Sequence, residues 1–598
     1  LYLPEISCYK SDIATSYFAS FQYDILITGG GTAGITLASR LFELSPYKIG
    51  IIEAGELVNP GQNSLVDTPA LSWGFNTSPQ AQISGRNLSY PRGKMVGGSS
   101  GINSMAWVRP TRNELDSWSS FGISNGWDWQ GLLAYMKRTE NVTIGNSSSF
   151  PGSKYPSGYD SLVEGRAGPV QISYNNVFSG VQVPFVESFL QAGGILNGNP
   201  DNGNNIGIFN GAHSVDPETG NRSYATTAYL PTLQQNPNIV LLLKAMVTRI
   251  IFDETSPNLK ATGLKYVIGN DTYTVSAKRE VIISAGSVQT PQLLELSGIG
   301  NASLLQAMGI RPILDIPTVG ENFQDHLSVP TSFLLHDPPP STLDELNNNA
   351  SFAEQQLQQY LVNHTGFYTM LPTYSYHPLQ QFISDADINE LISVTQREIS
   401  ERKLSRLQKL QYELQIEWLQ TGIAGQLEIA LFPGGIPDLP GATVAGKSYV
   451  SIVSFPQHPF SRGSVHIASY NPLDAPIIDP DILNFTFNHY VLNLGLTLCS
   501  RIASEAPLSN LIKVTTNPPN NDLSSYISST INMEYNGIGT TALASQELGG
   551  VVNDNLLVYG TLNLRIVDAS IIPIHMATHI QTLVYAVALK AADIIISS

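Results

Sequence analysis

The sequence predicts an α/β fold organised on a Rossmann-like, dinucleotide-binding βαβ unit, followed by a second unit of different character. Three observations carry this expectation. The stretch Tyr23–Gly55, YDILITGGGTAGITLASRLFELSPYKIGIIEAG, runs apolar strand, glycine-rich turn, helix, apolar strand. Short β-branched runs recur at 238–243 (NIVLLL), 247–252 and 281–284, where they read as further strands. From about residue 335 the pattern shifts to charged helices and then alternating strands, and 598 residues are too many for one small core.

Within the first unit each residue type has a physical task. The apolar run Ile25–Ile27 ends in Gly29-Gly30-Gly31-Thr32-Ala33-Gly34, a G-x-G-x-x-G turn. Gly29 permits the tight turn, Gly31 lets backbone approach a pyrophosphate, and Gly34 lets helix and strand pack closely. The start of the following helix, at Thr32 and Ala33, aims free N–H groups and a partial positive charge at the phosphates. Glu53 ends the second strand, 19 residues after Gly34, where an acidic side chain accepts from ribose hydroxyls. The acid disfavours a ribose 2′-phosphate, so the expected ligand is FAD or NAD rather than NADP.

Composition narrows the function classes. Lys and Arg number 31 against 48 Asp and Glu, a net charge of −17 with a pI of about 5.0, which disfavours nucleic acid as a partner. No run of about 18 apolar residues exists, so no membrane span is expected. Two cysteines, Cys8 and Cys499, build no metal or redox motif, and their pairing stays open. Asn76, Asn87, Asn141, Asn146, Asn221, Asn270, Asn301, Asn349, Asn363 and Asn484 each head N-x-S/T. With a first residue, Leu1, that is not Met, these sequons favour a secreted glycoprotein.

Taken in order, residues 1–19 read as an extension, 127–137 as a helix and 145–158 as a Gly/Ser/Pro-rich surface loop. Leu404, Leu407, Leu410, Leu414 and Trp418 recur at helical spacing, the mark of an amphipathic helix packed on the domain. Residues 448–500 alternate as strands, and 556–598 run strand, turn, long helix. Gly97-Gly98-Ser99-Ser100-Gly101 formally matches the hydrolase elbow G-x-S-x-G, but no strand precedes it, so a loop lying against a flat ligand fits better. His575 and His579 stand four apart, yet Pro573 lies just upstream and no third ligand is near in sequence; no metal site is expected.

In combination these stretches resemble the glucose–methanol–choline (GMC) oxidoreductase family. Gly93–Asp116 (GKMVGGSSGINSMAWVRPTRNELD) is similar to the first family signature and Gly286–Gly300 (GSVQTPQLLELSGIG) to the second. VGENFQDH at 319–326 and the stretch from Gly549 to the end add to the likeness, which is strongest to the fungal glucose oxidase and FAD-glucose dehydrogenase branch. The resemblance implies a discontinuous FAD domain (20–175, 230–330 and 535–598) and a substrate-binding α+β domain with an antiparallel sheet (176–229 and 331–534). It implies that Gly29, Gly31, Gly34 and Glu53 hold the ADP half of FAD and that Val247 touches adenine. Gly97, Gly98, Ser99 and Asn103 would line the pyrophosphate and isoalloxazine, and Asp568 and Ala569 the ribityl side. Ile102 stands where some members carry the histidine that bonds FAD, so the FAD is expected to be non-covalent. The expected partner is a small-molecule substrate, with the protein a monomer or homodimer.

The catalytic pair departs from the family pattern. Where the family has a histidine that takes the alcohol proton while hydride leaves for flavin N5, this chain has Asn536, in Tyr535-Asn536-Gly537-Ile538-Gly539-Thr540; His579 fills the second position. An amide takes no proton near neutrality, whereas imidazole ordinarily titrates near 6.5. Three readings follow: His579 acts as base with Asn536 anchoring the substrate oxygen; the substrate is acidic enough to need little help; or redox chemistry is lost. The first, an FAD-dependent alcohol oxidase or dehydrogenase, leads. The alternative is a non-redox cyclase or lyase of fungal secondary metabolism, resembling versicolorin B synthase, with FAD kept as structure.

Overall fold

The computed structural model describes residues 15–58, 69–144, 160–175, 177–234, 236–253, 255, 259–437, 439, 444–518 and 522–598. Cys8, the loop 145–158 and most of the expected N-terminal extension lie outside the described residues. Cys499 is buried on a helix of the second unit.

Strand β1 (Gln22–Thr28), helix α1 (Thr32–Leu44) and strand β2 (Ile49–Ile52) form the expected βαβ unit. β1 pairs in parallel with β2, Ile25 to Ile49 through Thr28 to Ile52, and on its other side with the end of Asp271–Ile283. Ile239–Leu242 adds beyond β2, and Leu564–Ile566 pairs with 281–283, both in parallel. The parallel-paired stretches at Ile25–Ile27, Ile49–Ile52, Ile239–Leu242 and 281–283 read as apolar runs because a parallel sheet is covered on both faces. Met246–Asp253, Lys260–Ile268 and the first half of Asp271–Ile283 complete a seven-stranded sheet as an antiparallel meander. The terminal helix Gln581–Ser597 packs on α1 and is buried along most of its length, which explains its almost continuous apolar sequence.

The second sheet has six strands, all antiparallel: Thr373–His377, Leu427–Phe432, Tyr449–Pro456, Leu327–Leu335 and Ile512–Asn517 in that order, with Asn532–Met533 pairing the start of Leu327–Leu335. The expected domain boundary at 330/331 falls inside Leu327–Leu335. The helix expected around 404–418 spans Arg406–Thr421 and buries Leu407, Leu414 and Trp418.

One expectation is corrected. Residues 448–500 are not strands throughout: Tyr449–Pro456 and Gly463–His466 are, but Thr486–Ser504 is a helix. Its buried Phe487, Val491, Leu492, Leu496, Cys499 and Ile502 recur at helical spacing, a period that outweighs the strand pattern before it.

Candidate active site

The turn between β1 and α1 opens on a cavity of about 180 Å³. Gly29, Gly31, Thr32, Ala33, Glu53, Gly98, Ser99, Val247, Asp568 and Ala569 all line it. Two further residues expected to hold the ligand sit behind its wall. Gly34 is a packing residue, since a Cβ there would lie 1.9 Å from the Gly29 carbonyl oxygen. Gly97, at φ +90°, donates its N–H to Gly30 O at 2.8 Å and accepts from Thr32 Oγ1, stitching the two glycine-rich loops together.

The polar groups here are held by backbone donors. Glu53 accepts from Gly30 N at 2.7 Å and from Gly55 N at 2.8 Å, while burial pushes its carboxyl up to about 7. Asp568 accepts from Gly286 N, Thr290 Oγ1 and Ser570 N, which fixes the start of helix Gly286–Leu296 on the cavity wall. Thr28 Oγ1 and Ser284 Oγ are buried beside the same cavity without a hydrogen-bond partner among the described residues. A Cβ built on Gly31 would come no closer than 3.6 Å to any neighbour, so nothing in the protein requires glycine there. Two unmet hydroxyls, an empty approach over Gly31 and a buried acid at the end of β2 fit a nucleotide cofactor.

A second cavity of about 440 Å³ adjoins the first, with Thr32, Ser99 and Val584 lining both. Asn103, Asn536 and His579 line it, so the structure brings together the two positions of the expected catalytic pair. Asn103 accepts from Arg222 Nη1 at 2.6 Å and donates to Gln581 Oε1 at 3.1 Å. Ile102 also faces this cavity.

His579 sits in the turn before the terminal helix, between two carboxylates. Nε2 lies 3.2 Å from Glu428 Oε1 and Nδ1 lies 3.3 Å from Glu534 Oε1. With Nε2–H donated to Glu428, the neutral ring keeps its lone pair on Nδ1. Asn536 is clamped through its backbone: its N–H donates to Asp325 Oδ1 at 2.8 Å and its carbonyl accepts from His575 Nε2 at 3.0 Å. The Asn536 Nδ2 group is buried beside Glu534, whose carboxyl the amide pulls down. His575 thus serves the Asn536 loop and shares no target with His579; burial lowers it to about 3. Asp325, which also accepts from Tyr90 Oη at 2.7 Å, is raised by burial to about 7.

Four residues of this site were not singled out from sequence: Asp325, His326, Glu428 and Glu534. Asp325 and His326 end VGENFQDH, a stretch visible only as a likeness. Glu428 stood as one acid inside the apolar strand Leu427–Phe432, a signal that could have been taken. Glu534 had none. The G-x-S-x-G stretch at 97–101 is no elbow, because a 3-10 turn at Gly98–Gly101 follows loop rather than strand.

The GMC oxidoreductase family model matches residues 23–328 with its N-terminal part and 459–588 with its C-terminal part. The chain belongs to the GMC oxidoreductases. A dehydrogenase of Armillaria gallica is 36% identical over 99% of this chain and 96% of its own. The structure of an FAD-dependent oxidoreductase from Chaetomium thermophilum has a TM-score of 0.88 at 26% identity, covering 96% of this chain and 99% of its own. A fungal aryl-alcohol oxidase has a TM-score of 0.84 at 26% identity, with the same coverage. GMC oxidoreductases bind FAD, which is the class of ligand the first cavity fits.

Proposed function

We propose that this GMC oxidoreductase uses non-covalent FAD to oxidise a primary or secondary alcohol, with His579 as the base and Asn536 as a polar anchor for the substrate oxygen. The observation that carries the reading is the placement of His579 and Asn536 on one cavity adjoining the nucleotide cavity. FAD, when bound, supplies the acceptor for the two electrons and hydrogen that leave the alcohol carbon. Gly29, Gly31 and the start of α1 would hold its phosphates, Glu53 a ribose and Asp568 the opposite wall. Glu428 holds the ring of His579 through Nε2, so that Nδ1 is the nitrogen free to take the hydroxyl proton. Asn536 cannot take that proton, but its clamped backbone fixes where its amide stands.

A second reading has an observation of its own. A histidine between one buried and one largely covered carboxylate is acid–base machinery that needs no flavin, as a cyclase or lyase would use. Anaerobic mixing of the FAD-loaded protein with primary and secondary alcohols separates the two. Bleaching of the flavin band supports alcohol oxidation. Bleaching by dithionite alone, together with product isomers formed without any acceptor, sinks it. We further propose a secreted, N-glycosylated protein, monomer or homodimer. None of the nine described sequon asparagines is buried, so each is placed where a glycan could stand; a mobility shift on glycosidase treatment checks this.

A further inference from the structure

Glu534 is the carboxylate of the site with no established task, and it touches two imidazoles. Its Oε1 lies 3.3 Å from His579 Nδ1, and its Oε2 lies 3.1 Å from His326 Nδ1. Tautomers decide what that second contact is. His326 Nε2 lies 3.1 Å from the carbonyl oxygen of Met576, which can only accept, so Nε2 carries the ring hydrogen. In a neutral His326 ring Nδ1 is therefore bare. A bare nitrogen beside a bare carboxylate would repel, and Glu534 as an anion would face two bare ring nitrogens, at 3.1 Å and 3.3 Å; one proton on the carboxyl relieves both contacts. Among the described residues neither atom makes a hydrogen bond, not even to the other, so the two polar atoms stand 3.1 Å apart without an aligned partner.

We propose that Glu534 is a proton-relay residue: in the resting site it holds a proton on Oε2 facing His326, and it passes that proton to His326 Nδ1 when His579 Nδ1 takes up the substrate's. The inference rests on the alcohol-oxidation reading above. The substrate O–H bond breaks and an N–H bond forms on His579; its C–H electron pair and hydrogen go to FAD as hydride. The Oε2–H bond of Glu534 breaks and an N–H bond forms on His326. The line Glu428, His579, Glu534, His326 then alternates in charge. Glu534 thus supplies an anion beside His579 only once a cation is there, and the resting cavity carries one carboxylate charge, not two.

The surroundings suit this. Burial, with Glu428 and Asp325 close by, pushes Glu534 well above the usual carboxylate range, against the smaller opposing pull of the Asn536 and Gln457 amides. Burial also pushes His326 well below the usual imidazole range, with His575, His579 and His458 adding to it. Both directions favour the neutral resting pair. The His575 ring, 3.7 Å from that of His326 centroid to centroid, is fixed by its own partners, Asn536 O and Met576 N, and takes no part.

Glu534→Gln keeps the shape and the resting charge but cannot release a proton. In the rapid-reaction rate of flavin reduction by an alcohol, the acid limb of the pH profile should move down by about one unit and the plateau rate should fall ~10-fold, less than the ~10²–10⁴-fold worth of a general base because His579 itself is kept. Nitrogen-15 NMR of histidine-labelled holoenzyme reads the relay without turnover. On acidification His326 and His579 should titrate together in the wild type, and His326 should stay neutral in Glu534→Gln. His326→Asn should shift the acid limb as Glu534→Gln does, and the double variant should equal either single one. An unmoved acid limb, unaltered titration of His326, or additive effects would each overturn the relay. If no alcohol reduces the flavin yet the NMR coupling holds, it is the redox reading that fails instead.

Discussion

Three glycines share the G-x-G-x-x-G turn, and the structure separates their tasks sharply enough to test with one methyl group. A Cβ on Gly34 would lie 1.9 Å from Gly29 O, well inside contact distance, and both atoms are backbone. Gly34→Ala must force α1 away from the β1 turn, an overpacking cost of about 1–3 kcal/mol or more. A Cβ on Gly31 meets nothing closer than 3.6 Å, and the residue has ordinary φ and ψ of −78° and −162°. Gly31→Ala therefore leaves the fold within about 1 kcal/mol, since the loss at a helix N-cap and the gain from a stiffer unfolded chain offset each other. What it fills is cavity space over the phosphate-binding turn, so FAD affinity should fall ~10-fold or more, about 1.4 kcal/mol or above. The assay compares thermal melts of the two apoproteins, stripped of flavin because a bound ligand raises the midpoint by mass action, with FAD affinity from quenching of flavin fluorescence. The reasoning predicts a stable Gly31→Ala that binds FAD poorly and an unstable Gly34→Ala. A Gly31→Ala protein with wild-type FAD affinity would refute the placement of the pyrophosphate over that turn.

The remaining predictions follow from single contacts. His579→Ala should slow flavin reduction by alcohol ~10²–10⁴-fold, the usual worth of a general base, with little change in flavin content; a smaller loss in stopped-flow traces would move the base elsewhere. Asn536→His, which restores an imidazole at the first catalytic position, should raise that rate, and an unchanged or lower rate counts against the pairing. Asp201 is buried with Oδ1 unpartnered among the described residues, and burial raises it from 3.8 to about 7. Its folded form holds an extra proton between those values, so its contribution to stability is full below the lower value and lost as pH rises through about 7. Asp201→Asn should accordingly melt higher than wild type at pH 8, with the gain shrinking toward pH 5; a pH-independent difference would contradict the burial argument.

What could be read from the chain alone was whatever its neighbours in sequence decide. The βαβ unit is legible because strand, turn, helix and acid lie within Tyr23–Gly55, and each obeys a local rule: apolar runs for covered strands, glycines for the turn, a helix start for the phosphates. Amphipathic spacing likewise announced Arg406–Thr421, although a strand pattern at 448–466 masked the helix Thr486–Ser504 beyond it. The chemistry was only half legible. Asn536 and His579 were marked by their place in a family pattern, but their partners were not, because those partners come from distant elements. Glu428 lies on a strand of the second sheet, and Asp325 and His326 just before another of its strands. The start of that strand pairs with Asn532–Met533 and so carries Glu534 to His326. No periodicity links positions 326, 428, 534 and 579. Only the packing of the second sheet against the turn before the terminal helix sets Nε2 of His579 on one carboxylate and Nδ1 beside another, and that contact decides which nitrogen can act.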